Sequence, residues 1–495
     1  MLFKYSRKSG GKSAGRRHAL AAVACVLGGL AVVAHAQSTP TLTPLAQLGQ
    51  QLFVDPNLSA SKHMSCATCH DPNNHYAQSV GNTRPVQLGG PALTTPGFRA
   101  VPSLTYKQLI PAYSDNAVNP DGVSTNSPGG GLTWDGRADT LATQVAIPLL
   151  SSFEMANASP AAVVSVVQTA SYAALLSPAA QQASTQYGIN VSDIASDPTT
   201  AFTVIGLALQ EYQLEDDDFH PYTSKFDYYA NLELSHGQPV NLTAAEDRGY
   251  GVFLDPTRGN CFACHYSGPM GGPSYPNGGD YEFSDFTYQA IGVPRNTTIP
   301  ATVTRPGLPP TYYDLGLCTA QNPAYPHTLP AAAQFCGMFK VPTLRNTATR
   351  QVFFHNGVFS SLAQVLNWYN TRDTNPAAWY PSQGGVVQKF NDLPTLYKLN
   401  VTGNATLAQA IQQAQGADDQ ALDEQLQPPC NVAGTPGFNL QDAQSCLGWV
   451  ASWGLSPGAT PAMTPQDLAD LQCFVETLTD GYEQGVTVQD PNCVN

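Results

Sequence analysis

Two pentapeptides, Cys66-Ala67-Thr68-Cys69-His70 and Cys261-Phe262-Ala263-Cys264-His265, constrain this chain more than any other feature in it. In a C-x-x-C-H run each thiol can add across one vinyl group of a haem, two intervening residues match the reach of the tetrapyrrole edge, and the next His becomes the proximal iron ligand. Two copies predict two covalent c-type haems, attached through Cys66, Cys69, Cys261 and Cys264, with His70 and His265 on the irons. The competing reading is a pair of zinc or dithiol C-x-x-C hairpins. Neither chemistry asks for a His directly after the second Cys.

Such attachment belongs outside the cytoplasm, and the N-terminus agrees. Lys4, Arg7, Lys8, Lys12, Arg16 and Arg17 form a basic run, Ala19 to Ala34 is apolar, and Ala34-His35-Ala36 offers a cleavage site. Residues 1–36 therefore read as a signal peptide, with an uncleaved anchor as the rival, and the mature chain is expected in the periplasm with no stable membrane association. Beyond the signal, ten cysteines remain, of which four hold haem. The other six, Cys318, Cys336, Cys430, Cys446, Cys473 and Cys493, suggest three disulfides, pairing sequence neighbours being the simplest of fifteen connectivities.

Charge excludes some partners. The chain has 36 acidic against 22 basic residues, a net charge of −14, and the signal carries six of the basic ones and no acid. Nucleic acid and anionic membranes are poor partners for such a surface, whereas a small basic electron donor would be steered towards it. Charged residues are only 12% of the chain, and 42 Gly with 40 Pro predict long loops over a helical framework with little β structure.

Periodicity places helices over 45–53, 161–174 and 202–213, the second with Val163, Val164, Val166 and Val167 inward and the third with Val204, Ile205, Leu207 and Leu209 inward. Thr243 with Glu246 three residues on reads as a capped helix start before the second pentapeptide. Gln466 to Thr479 reads as a last amphipathic helix with Leu468, Leu471, Val475 and Leu478 inward. The organisation expected is mainly α: a signal at 1–36, a first haem domain at 37–235, a second at 236–425, the switch near 232–242, and a disulfide-stapled C-terminal extension at 426–495 packed on the second domain.

The stretch around the first pentapeptide, with Asp55-Pro56, Leu58-Ser59 and Asp71-Pro72, resembles the opening of the bacterial di-haem cytochrome c peroxidase/MauG superfamily, and the resemblance runs with interruptions over most of the mature chain. The segment Trp134-Asp135-Gly136-Arg137-Ala138, Leu141, Gln144, Pro148, Glu154-Met155 resembles that superfamily's W-D-G-R-A…L…Q…P…E-M run with its spacing intact. The resemblance implies that Trp134 lies between the haems and couples them, and that Gln144, Pro148 and Glu154 line the open, distal side of the first haem. The chemistry asks for such groups in its own right. Cleaving an O–O bond unevenly needs a group that moves a proton from the inner to the outer peroxide oxygen, and a carboxylate raised by burial suits that task. His63 and His75 flank the first pentapeptide, and either could be a sixth ligand or a plain loop His.

Val341-Pro342-Thr343-Leu344-Arg345-Asn346, followed by Phe354-His355-Asn356-Gly357, carries the second match. Fourteen residues after the His of the F-H-x-G turn the superfamily places the distal ligand of the second haem, Met in the peroxidases and Tyr in MauG. This chain has Tyr369 there, with Met463 as the main alternative ligand and Met270 and Met338 as weaker ones. Phenolate oxygen stabilises ferric and higher-valent iron more than a thioether does. Two departures stand out. Where MauG relays electrons through a Trp two residues before the second haem motif, this chain has Gly259. Where the family binds calcium between the haems, the positions are Ala100, Arg350 and Val352, which lack the side-chain oxygens a hard cation needs, so no calcium is expected.

The resemblance implies an oxidoreductase reducing hydrogen peroxide to water with electrons from a small redox protein, its oxidising equivalents held as high-valent iron shared between the haems. The alternatives are MauG-like or rubber-oxygenase-like oxidation of a protein or organic substrate, and a non-catalytic di-haem electron-transfer cytochrome.

Overall fold

Thr43 opens the first helix as the peptide physics of its position demands: its hydroxyl takes the Ala46 N–H, and Pro44 sits at the first helical position, where a missing N–H costs nothing. The computed structural model describes residues 41–117, 128–192, 194–231, 234, 237–269, 280–299, 313–318, 335–393, 451–453, 455–483 and 493. The signal peptide read at 1–36, Met270, Cys430 and Cys446 lie outside them. The helices are α1 (Pro44–Val54), α2 (Cys66–Cys69), α3 (Leu141–Gln144), α4 (Ala146–Leu150), α5 (Pro160–Thr169), α6 (Leu176–Tyr187), α7 (Pro198–Glu215), α8 (Lys225–Ala230), α9 (Ala244–Leu254), α10 (Leu362–Thr371) and α11 (Pro465–Glu476). Extended structure is limited, among the described residues, to three antiparallel ribbons of two-residue strands: β1 (Leu88–Gly89) with β2 (Thr95–Pro96), β3 (Tyr288–Gln289) with β4 (Phe339–Lys340), and β5 (Ser382–Gln383) with β6 (Val386–Val387).

Two apolar cores account for the arrangement. The first runs from Leu45 to Phe219 and includes the predicted stripes of α5 and α7. Phe226, on α8, already belongs to the second, which ends at Leu478. The expected helix over 161–174 ends at Thr169, because Ala170 turns to an extended backbone. The capping box at Thr243 and Glu246 forms as expected, the Glu246 carboxylate accepting the Thr243 N–H at 2.6 Å.

The halves repeat one packing device. The helix before each pentapeptide crosses a late helix of its own half, and a glycine lies at each crossing. A Cβ on Gly49 of α1 would lie 2.0 Å from the Ala208 carbonyl oxygen of α7, and one on Gly249 of α9 would lie 1.9 Å from the Asp470 carbonyl oxygen of α11. Four residues on, Phe53 and Phe253 fill equivalent places, Phe53 against Tyr212 and Phe253 against Phe474. Thus α11, expected in a C-terminal extension, is a wall of the second core as α7 is of the first. Its Leu471, Val475 and the following Leu478 are buried as expected, with Leu468 half-buried.

Disulfides join Cys473 to Cys493 and Cys318 to Cys336, both sequence neighbours. The Cys493 carbonyl accepts the Thr243 hydroxyl at 2.6 Å, so the end of the chain is fastened to the start of α9. Among the described residues, no single helix is long and apolar enough to cross a membrane.

The crossing predicts a sharp contrast within one helix. Gly249→Ala forces backbone apart and is expected to cost about 3 kcal/mol, at the upper end of overpacking. Gly251→Ala has nothing within 4 Å of the new methyl and is expected to stabilise by up to ~1 kcal/mol through reduced unfolded-state entropy. Denaturant unfolding of the two haem-loaded variants checks this, and equal effects would refute the close-crossing argument.

Candidate functional site

Each pentapeptide closes into a single turn in which the His N–H returns to the first Cys carbonyl, His70 to Cys66 at 2.9 Å and His265 to Cys261 at 2.8 Å. That turn brings both thiols and the imidazole to one wall. The two walls line one cavity of about 1130 Å³, beyond the ~1,000 Å³ upper end for pockets built around one drug-sized molecule. The His70 ring Nδ1 lies 3.2 Å from the Tyr76 carbonyl oxygen, and that of His265 lies 3.0 Å from the Phe283 carbonyl oxygen. An Nδ1–H bound to carbonyl leaves Nε2 with its lone pair turned to the cavity, the tautomer an iron needs. The Pro102 and Pro342 carbonyls also act on these rings. They sit in matching runs, Val101-Pro102-Ser103-Leu104 and Val341-Pro342-Thr343-Leu344.

Burial drives the electrostatics. It pushes the Cys66, Cys69 and Cys261 thiols up to about 12 and Cys264 higher still, and it lowers His70 and His265 to about 4. Imidazoles kept neutral by burial suit iron. The residues present fit two covalently attached haems.

On the first half, Gln144 at the end of α3, Pro148 on α4 and Glu154 beyond it all line the cavity that His70 faces. Glu154 is fixed through its backbone: its N–H donates to the Ser151 carbonyl at 3.0 Å, and its carbonyl accepts the Gly90 N–H at 2.8 Å. Gly89 permits this approach, since a Cβ there would lie 2.3 Å from the Phe153 carbonyl oxygen. Burial raises the Glu154 carboxyl above its ordinary range, while the Ser151 side chain and then Arg137 and Arg99 pull it back. Asp135 between them is fully buried, accepts from both guanidiniums and is held well below the usual carboxylate range.

Trp134 lies on the cavity wall between the halves. Its indole N–H donates to the Ala100 carbonyl at 3.0 Å, and its own carbonyl accepts the Lys340 N–H at 3.0 Å. On the second half, Tyr369 of α10 and Met463 both line the cavity. The Tyr369 ring stacks on Trp453 at 5.7 Å and 8°, and its carbonyl accepts the Trp453 indole N–H. Met463 is buried, its N–H and carbonyl both held by the Asn370 side chain. Met338 lines the cavity too, whereas His63 is exposed and neither it nor His75 is on the cavity wall.

The sequence reading missed the cations around the cavity. Lys107 is lowered to about 8 by burial, Lys340 lies well below its ordinary value with Nζ donating to the Gly131 carbonyl at 2.5 Å, and Arg99 bridges Asp135 and Asp314. In a chain with so few charges, a Lys within Met338-Phe339-Lys340-Val341 was the available signal. Cations on the wall of an apolar cavity are natural partners for the carboxylates a haem carries.

Comparison with known proteins agrees with this geometry. The family model for di-haem cytochrome c peroxidase matches residues 43–234. The methylamine utilization protein MauG of Paracoccus denitrificans is 34% identical over 336 residues, covering 68% of this chain and 76% of that protein. The cytochrome c551 peroxidase of Nitrosomonas europaea is 26% identical, covering 66% and 73%. The crystal structure of the di-haem peroxidase BthA from Burkholderia thailandensis superimposes with a TM-score of 0.64 at 32% identity, covering 91% of this chain and 87% of that one. With paired haem-attachment turns facing one cavity and this degree of shared sequence, the chain belongs to the di-haem cytochrome c peroxidase/MauG family of oxidoreductases.

Proposed function

We propose that this protein is a periplasmic peroxidase that reduces hydrogen peroxide to water, taking two electrons from a small redox protein and two protons from solvent. The observation that carries the reading is Glu154 on the His70 cavity wall, a carboxyl raised by burial with Gln144 beside it on the lining. The haem on His70 supplies, when bound, the iron at which the O–O bond is reduced. Glu154 takes the proton from the inner peroxide oxygen and returns it to the outer one, which leaves as water. The Gln144 amide holds the peroxide by hydrogen bonds, and Pro148 narrows the pocket. Trp134 bridges the two halves, and Tyr369, with Met463 as the alternative, would hold the second haem on the side away from His265.

MauG-like oxidation of a protein is the second reading, favoured by the similarity to MauG and by Tyr369. Gly259 weighs against a MauG-type exit. A Cβ there would lie 2.6 Å from the Val252 carbonyl oxygen and 3.2 Å from Cys261 Sγ, so the loop in this conformation has no room for an indole.

The test is stoichiometry: two equivalents of a reduced one-electron donor oxidised per peroxide, with no dioxygen released. Inert haems, or peroxide loss without donor oxidation, would end the peroxidase reading. The pH profile follows from the raised Glu154 carboxyl. The working form is ionised, so turnover is full above its raised pKa and is lost as pH falls through it. The acid limb should therefore lie above the ~4.3 of an ordinary Glu.

A further inference from the structure

Three consecutive carbonyls in the first half serve three different masters. The Ala100 carbonyl holds the Trp134 indole at 3.0 Å, the Val101 carbonyl accepts Arg350 Nη2 at 2.9 Å, and the Pro102 carbonyl acts on the His70 ring. Arg350 comes from the second half. Its Nε donates to the Val352 carbonyl at 3.3 Å, and among the described residues no carboxylate forms an ion pair with it. The same segment is tied a second time to the second half, by the Ala100 N–H donating to the His355 carbonyl at 2.7 Å.

The geometry excludes a hard cation here. Calcium takes six to eight oxygens at ~2.3–2.6 Å, but the Val101 and Val352 carbonyl oxygens are already occupied by N–H donors. Ala100 and Val352 bring no side-chain oxygen, and Arg350 brings a positive charge. A guanidinium does electrostatically what a cation between carbonyls does, with two differences: its donors are directional, and it cannot be chelated away.

We infer that Arg350 is a built-in cation that registers the two halves against each other, positioning Trp134 and the His70 loop through the Ala100–Pro102 backbone, so that the inter-haem geometry of this protein is independent of divalent metal. Arg350 is a positioning residue, acting through the Ala100–Pro102 segment rather than on peroxide. The inference needs both haems bound but not the peroxidase reading, and its test uses readouts other than turnover.

In the di-haem protein, the absorption spectrum, the melting temperature and the rate of electron equilibration between the haems after flash reduction are measured in EGTA and in millimolar calcium. The wild type is expected to give the same values in both. Arg350→Gln is expected to slow equilibration at least tenfold and to lower the melting temperature by about 4 °C, the shift expected for loss of a buried charged anchor in a domain of this size. Arg350→Lys, which keeps the charge, restores at least half of the equilibration rate, a rescue that a space-filling role would not give. The double variant Ala100→Asn/Arg350→Thr, with oxygens in place of the guanidinium, is expected to melt higher in calcium than in EGTA. A wild type that shifts with calcium or EGTA overturns the inference, as does an Arg350→Gln protein that equilibrates at the wild-type rate. If Arg350→Gln does not fold, wild-type indifference to calcium together with the Arg350→Lys rate still decides it.

Discussion

Replacing Glu154 with Gln is expected to leave both haems attached and to cut peroxide turnover by about 10²- to 10⁴-fold, the range a positioned acid–base group contributes. The substitution is nearly isosteric, and the contacts that place residue 154 are backbone contacts to Ser151 and Gly90, which Gln keeps. What it removes is the ability to accept and hand on a proton. Stopped-flow kcat/KM, read beside an unchanged absorption spectrum, separates loss of the shuttle from loss of the fold. The acid limb of the pH profile should vanish in the same variant, because the group that titrates there is gone. An unaltered rate would mean that the proton travels by another route, and Gln144 alone could not provide one, since an amide does not titrate in this range.

The parts legible in the sequence are those where chemistry fixes residue type at fixed spacing. Cys66-x-x-Cys69-His70 and its twin could be read without any structure, and so could Thr243 with Glu246, because a capping box is local. Trp134, Gln144, Pro148 and Glu154 were legible only as a spaced set, and the structure brings all four to one cavity. The crossings at Gly49 and Gly249 were not read, since a glycine inside a helix signals close approach only once its partner, Ala208 or Asp470, is known to lie far along the chain. For the same reason α11 read as an addition. Its partner α9 is more than 200 residues earlier, and periodicity shows which face is apolar but not what covers it. The buried cations escaped for an energetic reason. A lone Lys in an apolar run is usually a solvated side chain, and only the cavity reveals that Lys340 and Lys107 have been drawn inward.

The second large expected effect concerns the partner of the haem on His265. Tyr369→Phe is expected to raise the reduction potential of that haem by tenths of a volt, within the ~0.8 V that axial ligands span, whereas Met463→Leu leaves it nearly in place. The two side chains are held differently. Met463 is 4% exposed and belongs to the apolar core around Trp368 and Phe474, its backbone clamped on both sides by Asn370, so it packs in the core as well as lining the cavity. Tyr369 is half-buried and faces the cavity, its ring stacked on Trp453, over whose ring the Arg372 guanidinium lies at 3.7 Å. An anionic oxygen ligand stabilises ferric iron, so its loss makes reduction easier. A thioether favours ferrous iron, so if Met463 were the ligand its removal would lower the potential instead. Potentiometric titration of the two variants therefore gives opposite signs for the two assignments, and a fall in Met463→Leu with no change in Tyr369→Phe would transfer the ligand role to Met463.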